Sequence, residues 1–427
     1  MADQPGNVAL DTHVLDLTVT AQERDVLRRL AARVGELAAR PIEREKRELW
    51  YRHNALDKTV RPLIFCDPER GWQEIITPDQ METTHELPRC WEYRLRKEIF
   101  WAERMNDDRV TEPWFNLFWV YRRGDWGVHE QYHGDANGGA RNWEPPLKNL
   151  DDLSALRFQS LEVDRPATEL LMGLAEETLG EVLPVRLRGA WYWTLGLTWE
   201  AIKLRGLESL MLDLYENPEG VHRLMAFLRD GTLDLLDRLE REGLFTLNNE
   251  GDYVGSGGFG WTRDLPAAGF SGRVRTCDLW CLCESQETVG VSPAMFGEFV
   301  FPYQQPLMDR FGRVCYGCCE GLHNRWSFLS GISRLRRVSV SPWADRAQMA
   351  GQLRDRYIYS LKPHPGLLAG DTFSSDAVRA DIRDALEKAK GCRLEVIMKD
   401  SHTIRGQPQR VIDWCRLIRE EIGKSGA

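Results

Sequence analysis

Residues 314–321 read Val-Cys-Tyr-Gly-Cys-Cys-Glu-Gly. An apolar run stops at a glycine, and two thiols and a carboxylate follow at once. A buried strand ends this way when polar groups gather where the chain leaves the sheet. By strand alternation Tyr316, Cys318 and Glu320 fall on one face and Cys315 and Cys319 on the other. Buried free cysteines are commonly small hydrophobes, but a glutamate beside them is costly to bury without partners. The stretch therefore reads as part of a site.

Other strand ends repeat the pattern. Cys277, Cys281 and Cys283 alternate onto one face of a strand over Asp278–Cys283. They lack the second close cysteine pair of a zinc ribbon and read as structural thiols. Glu284, Gln286 and Glu287 lie just beyond. Lys362 and His364 follow a strand over Tyr357–Leu361, and Asp400 and His402 follow one over Leu394–Met398. Any one histidine is more often structural. Together these groups sit where parallel barrels keep their chemistry.

The remaining chain supplies the scaffold. Thr20 and Glu23 form a capping box before a helix with Val26, Leu27, Leu30, Val34 and Leu37 on one face. Further strands are expected at Pro62–Asp67, Trp114–Arg122, from Val185, at Leu244–Asn248, Arg313–Cys318 and Arg337–Val340. Asn217-Pro218 opens a long helix that ends at Gly243, Ser292-Pro293 caps another, and helices follow at about 375–390 and through Val411 to Ile418. Strand–helix alternation implies a mostly parallel sheet. The fold expected is α/β, a (β/α)8 TIM-type barrel over 61–427 with inserted loops and an N-terminal helical extension over 1–60. Nine candidate strands are one too many for eight, so one is peripheral or wrong.

Residues 123–149, rich in Gly, Asp, Asn and Trp, read as a long surface loop. Its His129 and His133 have helical metal-ligand spacing that the glycines undermine. Gly255, Gly257 and Gly260 match Gly-x-Gly-x-x-Gly, but Trp-Thr-Arg-Asp-Leu-Pro follows and starts no helix, so a flexible glycine loop is expected in place of a nucleotide turn. Trp191 and Trp193 share a strand face and read as substrate-binding; with Trp114, Trp119 and Trp143 they suggest an aromatic-walled pocket.

The chain has 427 residues, ten cysteines and a formal net charge of −9. That balance argues against a nucleic-acid footprint. The N-terminal residues lack a signal peptide's pattern and no apolar run is long enough for a membrane helix, so a cytoplasmic protein with reduced thiols is expected. Oligomeric state is not legible.

Leu-Tyr-Glu-Asn-Pro-Glu-Gly-Val-His at 214–222, Glu-Ser-Gln-Glu-Thr-Val-Gly-Val-Ser-Pro-Ala-Met-Phe at 284–296, Tyr-Gly-Cys-Cys-Glu at 316–320 and Val-Ser-Pro-Trp-Ala-Asp at 340–345 resemble the uroporphyrinogen decarboxylase superfamily. That superfamily includes methyltransferases working between corrinoid proteins and thiols, and is similar in fold to cobalamin-independent methionine synthase. The decarboxylases carry Arg-Gln-Ala-Gly-Arg after the first strand, where this chain has Phe-Cys-Asp-Pro-Glu-Arg-Gly-Trp at 65–72. The thiol methyltransferases bind zinc through His-x-Cys and a late cysteine. Here Tyr316-Gly317-Cys318 stands at the first place and His402 near the second.

The resemblance implies zinc on Cys318, Glu320 and His402, with Cys319 as alternative thiolate, and a substrate thiol in the open position. A corrinoid on a partner protein would exchange methyl with a thiol or a small methylated substrate. Glu284, Lys362 and His364 are the expected catalytic residues; Trp191, Trp193, Gln286 and Tyr316 are the expected substrate contacts. The alternative is a cofactor-free decarboxylase or lyase acting on a small or aromatic acid, with Lys362 and His364 holding carboxylate. A barrel that only binds is the third reading.

Overall fold

A computed structural model of the chain describes residues 16–134 and 141–426. The strongest local signals form as expected. Thr20 and Glu23 close a capping box on the helix Ala21–Ala38, and Asn217 caps Pro218–Arg241 by accepting from the Gly220 N–H. Ser292 caps Pro293–Phe299 through the Met295 N–H.

The central sheet has six strands: β1 (Leu63–Cys66), β8 (Trp280–Cys283), β9 (Arg313–Tyr316), β10 (Leu335–Val340), β11 (Ile358–Leu361) and β12 (Arg393–Met398). Their order is β1-β12-β11-β10-β9-β8, and every pair is parallel. A second parallel pair is formed by β2 (Phe115–Phe118) and β7 (Val185–Arg188). The architecture is α/β. Among the described residues the six-stranded ladder keeps two edges, at β1 and β8, and so is not an eight-stranded ring.

Side chains cap both edges. Asp108 accepts the Ile64 N–H at 2.8 Å and Asp107 accepts the Cys66 N–H at 3.1 Å, beside β1. At β8, the Asn248 amide accepts the Trp280 N–H at 2.9 Å and donates to the Trp280 carbonyl at 3.0 Å, imitating a neighbouring strand. Occupying edge groups in this way blunts pairing with another chain.

Several expectations change. Leu244–Asn248 is not a strand; the Asn248 side chain does the pairing its backbone was expected to do. Trp114–Arg122 divides into β2 and β3 (Tyr121–Arg123), which runs antiparallel to β6 (Leu161–Val163). The loop at 123–149 contains a hairpin of β4 (Gln131–Gly134) and β5 (Arg141–Glu144), while 135–140 lie outside the described residues. His133 sits on β4 rather than on a helix. Cys277 lies in a 3-10 turn and not on β8, so only Cys281 and Cys283 share the strand face.

The glycine segment is the largest change. Val254–Thr262 is buried throughout, because it lies against the inner face of the sheet. A Cβ on Gly255 would stand 2.2 Å from the Cys315 sulfur, and one on Gly257 2.4 Å from Ile397 Cγ2. Both glycines have positive φ, +77° and +111°, so close approach and backbone conformation each demand them.

Under this segment lies a buried ionic network. The Arg337 Nε–H donates to Glu395 Oε1 at 2.9 Å, His53 Nε2 stands 3.0 Å from Glu395 Oε2, and Ser360 donates to the same carboxylate at 2.5 Å. Arg337 also donates to Asn54 Oδ1 and to the Phe259 carbonyl. The helix Pro41–Asn54, β10, β11, β12 and the glycine segment thus share one charge pair. Burial works against the Glu395 carboxylate, but Arg337 and His53 outweigh it and hold its pKa down at about 2. The stabilisation is therefore complete above the ordinary carboxylate value and is lost as pH falls toward 2. Removing one partner of a buried pair leaves the other charge uncompensated. We expect Glu395→Ala to destabilise the fold by about 3–5 kcal/mol, read from the urea midpoint; a loss under about 1 kcal/mol would contradict this role.

Candidate functional site

Each central strand delivers polar residues at its C-terminal end: Asp67 after β1, Glu284 and Ser285 after β8, Cys318 after β9, Ser341 after β10, Lys362 after β11 and Lys399 after β12. They divide into two groups.

The first group is structural. Glu320 is 1% exposed, and its oxygens are already taken. Oε1 accepts from the Ser285 N–H at 2.8 Å and the Ser285 hydroxyl at 3.2 Å, and Oε2 accepts from the Cys318 N–H at 2.9 Å. Tyr316 donates to Gln304 Oε1 at 2.7 Å, and Gln304 donates to the carbonyls of Gly196 and Glu284. Glu284 accepts from the Gln286 N–H at 2.8 Å. Burial, with Glu287 and Glu320 adding repulsion, pushes its pKa well up. Gln286 spends its side chain on Glu287 at 3.1 Å. Of the two expected substrate contacts, Tyr316 thus ties the end of β9 to the loop after β8, and Gln286 bonds within that loop.

Gly317 explains why strand alternation misplaces the thiols. Its φ of +97° turns the chain after Tyr316, so Cys318 does not stay on the tyrosine's face. Cys318 Sγ meets the Ser256 hydroxyl at 3.5 Å and Cys319 Sγ at 3.6 Å. Its neighbour Cys319, and then burial, push the Cys318 thiol well up, against the pull of Lys399. Cys319 is exposed.

The four expected zinc ligands are not brought together. His402 is exposed, Glu320 is committed to three hydrogen bonds, and only the two sulfurs are neighbours. Among the described residues no group of three His, Cys, Asp or Glu side chains is arranged to hold a metal ion. His364 is likewise exposed at the rim, accepting the Gly366 N–H and standing edge-on to Trp343 at 5.4 Å. Lys362 is 4% exposed and donates to Ser360 Oγ at 2.6 Å. Burial lowers its pKa to about 8, but its ammonium points into the Glu395 network.

The second group surrounds Lys399. Its ammonium lies 3.5 Å from Glu69 Oε1 and 3.6 Å from Asp400 Oδ1. Glu69 and Asp400 both have left-handed backbones, with φ of +47° and +59°. Non-glycine residues held there are strained, and such strain collects at functional sites. Burial works against the Lys399 cation, but Tyr253, Asp400, Cys318 and Glu69 together hold its pKa well up. Burial lifts the Glu69 carboxyl to about 7, with Asp400 and Asp67 adding to the lift and Lys399 opposing it. The Tyr253 hydroxyl, Asp67 Oδ2 and the Ser401 hydroxyl are buried without hydrogen-bond partners. A carboxyl that titrates near neutrality, a fixed cation and unspent polar atoms are thus gathered at the ends of β1 and β12.

The sequence named Asp400 here and missed Lys399, Glu69 and Tyr253. Cys-Asp-Pro-Glu at 66–69 carried the signal, since it too follows a buried strand; Tyr253 carried none. Trp191 is 4% exposed and gives its indole N–H to the Leu244 carbonyl. With Trp193 it lines a cavity of about 110 Å³ that reaches Asp252 and Tyr253. Trp114 lines a larger one, whereas Trp143 gives its N–H to the Lys203 carbonyl. We expect an aqueous alkylating reagent to modify Cys319 first and Cys318 far more slowly, by peptide mass spectrometry. Equal rates would contradict the burial of Cys318.

No family model and no curated protein matches the chain. Among solved structures it is similar to a methyltransferase from Methanosarcina mazei, at 10% identity over 70% of this chain and 77% of that one, with a TM-score of 0.41. A likeness of that size carries no argument about activity.

Proposed function

We propose that the chain is an enzyme of the uroporphyrinogen decarboxylase type, its barrel completed by the β2–β7 pair. We further propose that it is a cofactor-free carboxy-lyase acting on a small or aromatic acid. The observation that supports this is the Lys399 cluster: two carboxylates with left-handed backbones, at the ends of two paired strands, bracket one buried ammonium. Fixed charge aimed at developing charge is the commonest large term in catalysis. The C–C bond to the carboxylate breaks, carbon dioxide leaves, and the electron pair stays on carbon. Lys399 stabilises that charge while protonated Glu69 delivers a proton to the carbon and becomes carboxylate, to be reprotonated by solvent. A cytoplasmic setting suits the ten free thiols. No described helix is long and apolar enough to cross a membrane.

Methyl transfer between a corrinoid partner and a thiol is the second reading, favoured by the Cys318–Cys319 pair. It needs a thiolate, and Cys318 is held as thiol. Zinc would make one, but the four expected ligands do not fit an ion as they stand, so no step is drawn through it.

The test is carbon dioxide release from a panel of short-chain and single-ring aromatic acids. For the acid that reacts, we expect Lys399→Ala to lower kcat/KM by about 10²–10³-fold. Because Glu69 must be protonated, activity should fall as pH rises through about 7, and Glu69→Gln should abolish that dependence along with most of the rate. Methylcobalamin demethylation by an added thiol, without carbon dioxide release, would overturn the lyase in favour of the second reading.

A further inference from the structure

A cavity of about 190 Å³ opens between β1, the β2–β7 pair and the helix Glu86–Phe100, and it touches the Lys399 cluster at Asp67 and Tyr253. Five cations line it. Arg109 is paired with Glu98 at 2.6 Å, Arg186 with Glu250 at 3.3 Å, and Arg188 with Asp252. The other two, Arg94 and Lys97, have no carboxylate in ion-pair contact among the described residues. Arg94 bonds the Asn116 carbonyl and covers the Phe115 ring at 4.2 Å. The Lys97 ammonium makes no hydrogen bond with a described residue and rests over the rings of Trp72 at 5.0 Å, Tyr93 at 5.8 Å and Trp101 at 6.0 Å. An ammonium with no hydrogen bond, attracted by Asp67 and Glu98 only from beyond ion-pair distance, is left with donors to spend.

The other walls are complementary. Phe65, Trp101, Trp114, Phe118 and Phe259 supply flat apolar surface. Asp67 Oδ2 and Asn116 Oδ1 are buried acceptors without a donor, and the Tyr253 hydroxyl has no partner. An apolar cavity of about 150 Å³ takes up benzene, so the volume suits one substituted ring.

We propose that this cavity binds a single-ring aromatic acid carrying a hydroxyl or amino group, with its carboxylate at Lys97 and Arg94 and its donor at Asp67 or Asn116. Burial already pushes the Lys97 ammonium down, a cost that an incoming carboxylate offsets. The proposal rests on the preceding reading only for what then happens to the acid, since binding itself needs nothing from Lys399.

The experiment is calorimetric titration of the whole chain with 4-hydroxybenzoate, benzoate and phenol. We expect 4-hydroxybenzoate to bind about tenfold or more tightly than either compound that lacks one group, the size of one satisfied hydrogen bond or ion pair. Lys97→Met should weaken the two acids at least tenfold and leave phenol unchanged, and Lys97→Arg should recover most of the loss. Matching unfolding midpoints establish that the variants fold. Absence of 4-hydroxybenzoate binding to the native chain, or equal binding by Lys97→Met, would overturn the proposal. Binding that meets these criteria, with no carbon dioxide released from any acid of the panel, upholds the cavity while removing the lyase, so the two readings fail separately.

Discussion

The Glu395–Arg337 pair is the constraint on which the rest of the structure depends. A carboxylate on β12 and a guanidinium on β10, both 0% exposed, meet on one face of the parallel sheet across β11. They are tolerable because the Glu395 oxygens and two of the three Arg337 nitrogens have hydrogen-bond partners, Arg337 Nη1 being left without one. Satisfying them recruits His53 and Asn54 from an early helix, Ser360 from β11 and the Phe259 carbonyl from the glycine segment. Segments more than 300 residues apart in sequence are thereby fixed in register. The glycines follow from the same need, since a Cβ on Gly258 would lie 2.8 Å from Glu395 Oε1.

With its inner face covered at that depth, the sheet can gather chemistry only at its strand ends. There the molecule separates two tasks. The ends of β8 and β9 spend their polar atoms on one another, so Glu284, Gln286, Tyr316 and Glu320 shape loops. The ends of β1 and β12 do not. Asp67, Tyr253 and Ser401 keep unspent atoms, and Lys399 is bracketed by strained carboxylates. Those unspent atoms, more than the density of polar residues, are what single out this end of the sheet for the proposed site.

Much of the scaffold was legible in the sequence because its signals are local. The Thr20–Glu23 box, the Asn217-Pro218 start and the apolar runs of β1 and β8–β12 each depend on a few adjacent residues. Three kinds of feature were not. Leu244–Asn248 has a strand's composition, but its pairing is carried by one amide side chain. Gly255–Gly260 looks like a flexible loop because nothing in the sequence says what lies against it. The face of Cys318 was misread because alternation was carried through Gly317, whose positive φ breaks it. Polar residues do gather at the strand ends; which ends remain uncommitted depends on long-range hydrogen bonds that no local pattern encodes.

The central claim is that Glu69 and Lys399 share a desolvated place in which the carboxyl is an acid near neutral pH. Carbon-13 NMR titration of the Glu69 carboxyl in the native chain tests it directly. The account predicts a midpoint near 7, moving higher when Lys399 is replaced by methionine, because the ammonium is what holds it down. A midpoint near the ordinary glutamate value of about 4.3, unmoved by that replacement, would contradict it.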